Sequence, residues 1–469
     1  MGLSPLYTFA LRYMRNNILI LLSFFGAFWS AFLLLQNNTI YNSTLGKFGD
    51  NWVNNEGKRQ LVNEPFQQVN NTNYLQWDGV HYHLIKEHGY DIKKAGGDYI
   101  FAFFPFFPFL WKITALPPVG VIFMNYFMFA IALLILYKTF QTDIPSKINL
   151  LLIIFSLPSI AVFFIPYTEA TFLLVGAIGF YGMVKNKYWL FFVGFFLCAL
   201  TKPSYTFLFL AILGTEVFFL IQHKKITQAL HSSLLKALPL ILGTLTVSSI
   251  QYSFEGGTPM KFVEVQKYWN HVFSIPSGLR DWSHEGFGMS LGVIFLIVVP
   301  LTTILLKTSY SKLFQANKNL PNNFNYTPKN YVQVLSAFYL IGIFLFIVFF
   351  QGGSLHGLSR YVLCTPFFFA LLLYAFSYIK KTTKSSRVLY FCILSVLAML
   401  TMGFAGYSSG LNFSDMGLFL LIASLFFWLF QDQSHTRFYK RGLLLTVFLN
   451  VIWTSYLFNT YIANGWIYT

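Results

Sequence analysis

Apolar residues in this chain gather into long runs, and polar residues collect between the runs. Thirteen such runs are read, at about residues 17–35, 118–137, 148–166, 168–184, 188–200, 204–221, 236–253, 288–306, 331–350, 361–379, 388–406, 415–430 and 442–460. Most approach the ~20 residues that a helix needs to cross a bilayer. The pattern therefore predicts an all-α polytopic membrane protein of about 13 transmembrane helices, with residues 1–469 as a single integral domain. Thr201-Lys202-Pro203 is read as a turn between two spans, because one unbroken span over 188–221 would send the downstream lysines to the wrong side.

The polar intervals are unequal. Residues 36–117 form the longest, 254–287 the second and 351–360 a short third, all on the side opposite the N-terminus. Residues 166–168, 201–203 and 407–414 are tight turns on that same side. Within the first interval, Phe101–Trp111 is almost wholly aromatic, too short to span and too interrupted by proline for a regular helix. It fits the interfacial layer or a re-entrant cap, and interfacial helices are expected in this loop.

Composition excludes a soluble fold: 56% of residues are hydrophobic and 10% charged, against about 25% charged in an average soluble domain. The formal charge of +16 suggests nucleic acid only until the lysines and arginines are located. They punctuate apolar runs instead of forming one soluble surface. Counting spans from an inside N-terminus, 20 of the 32 basic residues fall on the N-terminal side, as the positive-inside rule requires. Arg12 and Arg15 precede an uncleaved anchor at 17–35, so the N-terminus is expected in the cytoplasm and the C-terminus outside, in a bacterial inner membrane. Twelve of the 16 acids lie in or beside the outer segments, where a polar site is expected. Cys198, Cys364 and Cys392 all fall within apolar runs and define neither a disulfide framework nor a thiolate metal site.

The sharpest motif is Gln76-Trp77-Asp78-Gly79-Val80-His81-Tyr82-His83, continuing to Gly89-Tyr90. In a helix, Asp78, His81 and Ile85 share a face. Asp78 then has two readings: a cap on free backbone amides at a helix start, or a general base toward a sugar hydroxyl, helped by His81. Glu169 stands in a three-residue turn between apolar runs, where an acid must be solvated, paired or used. It can orient an acceptor, pair with Lys202 or bind a divalent cation. A cation would need at least two more oxygen ligands, and no clustered acidic motif is present, so no metal or other cofactor is expected. His356 lies in a glycine-rich outer turn, Gly352 to Gly357, where backbone can approach a phosphate or simply flex.

The string resembles the W-D-x-x-H-Y-x-x-I-x-x-x-G-Y signature of the PIG-V-like mannosyltransferases, the family of GPI mannosyltransferase II and its prokaryotic relatives. Further similarities follow in order: Phe104-Pro105-Phe106-Phe107-Pro108, Pro166-Tyr167-Thr168-Glu169-Ala170, Ala199-Leu200-Thr201-Lys202-Pro203-Ser204 and Ser359-Arg360-Tyr361-Val362-Leu363. Together they cover roughly residues 70–370. Lys202 replaces the family's usual arginine and Ser204-Tyr205 its small-glycine pair, while the last hundred residues match nothing.

The resemblance implies a GT-C type glycosyltransferase that moves a hexose, in this family mannose, from a polyprenyl-phosphate donor to an acceptor hydroxyl outside the cytoplasm. Asp78 would be the base, with His81 and Glu169 beside it. Lys202, Arg360 and His356 would meet the donor phosphate, with Arg280 a further outer-side cation. Trp77, Tyr82, Trp269 and Trp282 would meet the acceptor, whose chemistry is left open, with His271 and His284 also in the second loop. Two other classes stay open. A transporter or flippase of lipid-linked sugars needs ionisable groups at mid-membrane, where Glu216 is the candidate, and no internal repeat favours it. A surface-polysaccharide polymerase or ligase would use a pyrophosphate carrier instead.

Overall fold

The computed structural model describes residues 5–43, 51–53, 59–61, 69–140, 147–203, 205–223, 226–269, 272–276, 297–302, 326–353, 357–379, 383–389, 391–393 and 437–465, with a few further positions. Helix dominates them, as the apolar runs predict. The exception is a short antiparallel pairing of Asn51–Val53 with Arg59–Leu61 in the first long loop, Trp52 opposite Gln60. In chain order the elements that build the site are α1 (Pro5–Leu35), α2 (Asp78–His88), α3 (Phe106–Thr114), α4 (Pro118–Thr139), α5 (Lys147–Ile154), α6 (Glu169–Val184) and α7 (Tyr188–Thr201). They continue with α8 (Tyr205–His223), α9 (Ile226–Tyr252), α10 (Pro328–Phe350), α11 (Leu358–Leu363), α12 (Pro366–Ile379) and α13 (Arg437–Ile462).

Among the described residues, five helices are long and apolar enough to cross a membrane: Asn17–Leu35 within α1, and α4, α9, α10 and α13. Their outward faces carry exposed Leu33, Leu34, Ile131, Leu245 and Phe448, apolar surface that water would not tolerate over such an area. Helices α7, α8 and α12 are apolar but shorter. The predicted spans 288–306, 388–406 and 415–430 lie largely outside the described residues.

Three predictions differ from what the chain does. Residues 148–166 are not one span: α5 stops at Ile154, a 3-10 turn runs Pro158–Phe164, and α6 leaves it at 100°. Pro158 has no N–H to donate and its ring excludes helical contact with the preceding turn. The freed carbonyls need partners where no water can supply them. Asn450 gives its amide to Phe155 O (2.7 Å) and Leu157 O (2.9 Å), and Asn125 gives its own to Ile165 O and Tyr167 O. The whole of Pro158–Phe164 is buried in protein, the condition for irregular backbone at membrane depth. Secondly, the run 361–379 is divided between α11 and α12 at Thr365-Pro366. Thirdly, the proline-rich Phe101–Trp111 does contain a regular helix, α3, because Pro108 sits in its first turn, where no intrahelical N–H bond is lost. Its Phe107 and Trp111 are buried while Phe109 and Ile113 are exposed, the amphipathic form expected at an interface.

Side-chain pairings give the direction of each helix. Helix α13 runs alongside α1, with Asn459 accepting from Gln36 (2.6 Å) and Ser455 donating to Phe28 O. Helix α4 runs opposite to α1, with Phe123 and Phe127 on the Phe25 ring and Tyr126 donating to Leu21 O. Helices α6 and α7 form an antiparallel hairpin so close that a Cβ on Gly182 would stand 2.2 Å from the Phe191 nitrogen, and one on Gly194 2.5 Å from that of Gly179. The chain reverses again at Lys202-Pro203, since α7 lies parallel to α9 through Tyr188 with Leu235 and Ala199 with Gly243. The division of 188–221 is therefore present. Helix α10 runs opposite to α8, with Phe346 on Phe207 and Phe338 on Phe218. One end of the bundle thus collects the ends of α1, α7, α9, α10 and α13 and the starts of α4, α6 and α8.

That end is capped by the described parts of the two long loops, 36–117 and 254–287, packed together. Gln251 donates to Phe101 O (2.7 Å), Lys93 pairs with Glu255 (3.0 Å), and Asp98 accepts from both Tyr268 (2.5 Å) and Lys261 (3.0 Å). Beneath these contacts Tyr82, Ile85, Tyr90, Phe103, Phe107, Trp111 and Val265 form one apolar cluster.

Candidate functional site

Four charged side chains from four separate segments meet at the capped end. Asp78 is the first residue of α2, Glu169 the first of α6, Lys202 follows the last turn of α7, and Arg360 lies in α11. Arg360 joins the two acids: its Nη2 is 2.7 Å from Asp78 Oδ2 and its Nε 2.8 Å from Glu169 Oε1. The same Glu169 oxygen receives Lys202 Nζ at 2.7 Å. Two acids and two cations balance, which is what allows them to be withdrawn from water together. Aromatic faces complete the enclosure, with Arg360 4.8 Å from the Tyr167 ring centre and Lys202 4.7 Å from that of Tyr361.

Exposure rises along the chain of charges and so gives it a direction. The Glu169 side chain is 1% exposed, Lys202 7%, Arg360 12% and Asp78 26%. Solvent therefore reaches the network at its Asp78 end. Asp78 is the acid of the first turn of α2, as expected of a helix start, and its side-chain bond goes to Arg360. Gly79 packs on Pro166 and Tyr461, which brings the start of α2 down onto the 165–168 turn ahead of Glu169.

The remaining expected residues are placed as follows. His81 is half buried one turn beyond Asp78, its ring 4.5 Å from Phe103 and edge-on to Tyr99, with Nδ1 buried and unpartnered. Burial pushes its pKa below that of a free imidazole, and Asp78 offsets part of that. The face of α2 that is buried carries Gly79, Tyr82 and Ile85, so Asp78 and His81 lie along its edge. Tyr82, expected to touch the acceptor, is instead buried between the edges of Phe103 and Phe107, where it supports the site from below. Trp77 spends its indole N–H on Gly465 O at 3.2 Å. Lys202, expected at the phosphate, is buried and held by Glu169. Trp269 is half exposed at the rim of the cap beside Phe103. His356, Trp282, Arg280, His271 and His284 lie outside the described residues.

Reading by motif quoted Tyr167 and Tyr361 without giving them a role, and it missed Tyr461 and Gly465. The first two adjoin charged motif residues, and a rule that cations near a membrane seek aromatic faces would have given them one. Nothing in the sequence around Tyr461 marks it. Among the described residues no three His, Cys, Asp or Glu side chains cluster as a metal would need. A cavity of about 240 Å³ lies toward the other end of α8 and α9, bordered by Glu216, Ser232 and Tyr326. Its acid is already matched, since Glu216 accepts from Lys236 (2.6 Å) and Ser232 (2.7 Å). Compared with known proteins, the chain matches no family model, no curated protein and no solved structure. The class its fold and site define is a helical protein with apolar helices long enough to cross a membrane and a charge-balanced polar site under a cap of loops.

Proposed function

We propose that this chain is a GT-C type glycosyltransferase of about 13 spans in a bacterial cytoplasmic membrane. It moves a hexose, with mannose the first choice, from a polyprenyl-phosphate donor to an acceptor hydroxyl on the non-cytoplasmic side, with inversion. The observation that carries the reading is the convergence of Asp78, Arg360, Glu169 and Lys202 at the end opposite the start of α1. A structural ion pair requires two residues, whereas this network ends in an acid open to solvent beside a guanidinium with donors to spare.

In the reaction, the acceptor oxygen forms a bond to the anomeric carbon and gives its proton to Asp78. The bond from that carbon to the phosphate oxygen breaks, and its electron pair leaves with polyprenyl phosphate. Arg360 stabilises the charge that develops there, and Glu169 and Lys202 hold the guanidinium in place. Lys202 acts through the field it adds behind Arg360 and not by direct contact. The carrier reading gains nothing from Glu216, which is paired.

Transfer of radiolabelled mannose from polyprenyl-phosphate mannose by the protein in lipid vesicles tests this. Asp78→Asn should lower turnover by roughly 10²–10⁴ with expression unchanged, the usual worth of a general base. Wild-type turnover in that variant would remove Asp78 from the chemistry. Transfer only from a pyrophosphate-linked glycan would assign the chain to the polymerases and ligases, and lipid-linked sugar crossing the bilayer without transfer would make it a flippase.

A further inference from the structure

We infer that the C-terminal end of α13 is a positioning device for Asp78, with Tyr461 as its central residue. Residues 74–77 lead into α2, and their backbone is tied around one buried phenol. Tyr461 Oη accepts from Gln76 N (3.1 Å) and lies within donating distance of Gln76 O (3.1 Å) and Tyr74 O (3.3 Å). The same oxygen would stand 3.1 Å from a Cβ at Gly79, so it also sets how closely α2 approaches. One residue before Asp78, Trp77 holds φ 51° and ψ −126°, a conformation suited to glycine. Strain of that kind persists only where its surroundings impose it, and it concentrates at functional positions. Here the imposing contacts are the phenol on one side and the bond from the Trp77 indole to Gly465 O on the other.

The other half of the site touches the same residue. Tyr461 meets Tyr167 edge-to-face at 6.0 Å, and Tyr167 carries the Arg360 guanidinium on its ring. Tyr461 thus contacts both the turn that presents Asp78 and the ring beneath its ion-pair partner, without meeting either charge. Helix α13 is in turn registered against α1 by Gln36 and Asn459. The arrangement fixes the distance from carboxylate to guanidinium from outside the motif-bearing region.

The kinetic part of this inference rests on the transferase reading; the structural part does not. In the full-length protein in lipid nanodiscs, Tyr461→Phe deletes the hydroxyl alone. Its kcat for hexose transfer should fall about tenfold or more, since small misplacements of a reacting group are costly, while KM for the donor stays within about twofold. Trp77→Phe, which removes the indole N–H, should show the same split. In an Asp78→Asn background, Tyr461→Phe should cause no further loss, because it acts through the residue already removed. Additive losses, or a change in KM with kcat intact, would overturn the assignment. Amide hydrogen exchange is the arm independent of activity: Tyr461→Phe should deprotect residues 76–80 selectively, leaving Phe101 and Val265 in the cap as in the wild type. Unchanged exchange at 76–80 sinks the device whether or not the wild type transfers hexose, and a wild type without transfer sinks only the reaction.

Discussion

Glu169 is the residue on which the charge network depends, because one of its oxygens serves both Lys202 and Arg360. Glu169→Gln would leave two buried cations facing a neutral amide, and breaking a buried pair in this way costs roughly 3–5 kcal/mol. Replacing the pair together, as Glu169→Gln with Lys202→Met, should recover most of that loss in a thermal unfolding assay, whereas transfer activity should not return. Full recovery of activity would show that Arg360 needs no anchoring. His81 makes a separate prediction through pH. Its folded pKa is depressed, so the unfolded chain binds a proton first as pH falls below about 6.5. Stability contributed by the neutral ring is complete above that value and is lost as pH drops through the window down to the folded pKa. His81→Phe should flatten the fall in melting temperature between pH 7 and 5; an unchanged slope would place the titrating group elsewhere. At this scale the motif residues were legible in sequence because charges beside membrane spans are rare and each requires a reason. Tyr461 was not legible, since a tyrosine near the end of an apolar helix is ordinary until its partners are known.

Among elements, the broken segment 155–168 matters most, because it aims Glu169. Proline at 158 announces a break, but the sequence pattern could not say that the segment would end as a buried 3-10 turn bent 100° from α6. That outcome depends on Asn125 and Asn450, which are 325 residues apart in the chain and supply bonds to four carbonyls that the helix would otherwise have satisfied. Asn450→Leu should expose the penalty of leaving the buried Phe155 carbonyl unsatisfied, about 1–3 kcal/mol, while Leu157 O keeps the Ile160 amide. The melting temperature in detergent should fall by several degrees, while Phe448→Leu on the exposed face of the same helix should leave it unaltered. Equal stability of the two variants would mean that the segment is held by packing alone. Helix α3 teaches the converse lesson: two prolines in an aromatic run suggested irregularity, yet position within the first turn made one of them harmless.

For the molecule as a whole, α6 and α8 start at the capped end while α7 and α9 end there, the alternation that the predicted spans require. The proposal that this end is non-cytoplasmic can be read by cysteine labelling in a background lacking Cys198, Cys364 and Cys392. A membrane-impermeant maleimide should label Lys94→Cys on intact cells and Lys187→Cys only after permeabilisation. The reverse pattern would put the cap in the cytoplasm and remove a lipid-linked donor presented from outside. What the sequence alone determined was the helical class, its long apolar helices and the residues worth examining, because hydrocarbon thickness and the cost of charge beside apolar runs act on local stretches of chain. What only the tertiary structure decided was which charges pair, that Lys202 is covered while Asp78 stays open, and that the C-terminal helix grips the turn before Asp78. Those are contacts between segments hundreds of residues apart, and their energies depend on distance and burial, quantities that no local pattern encodes.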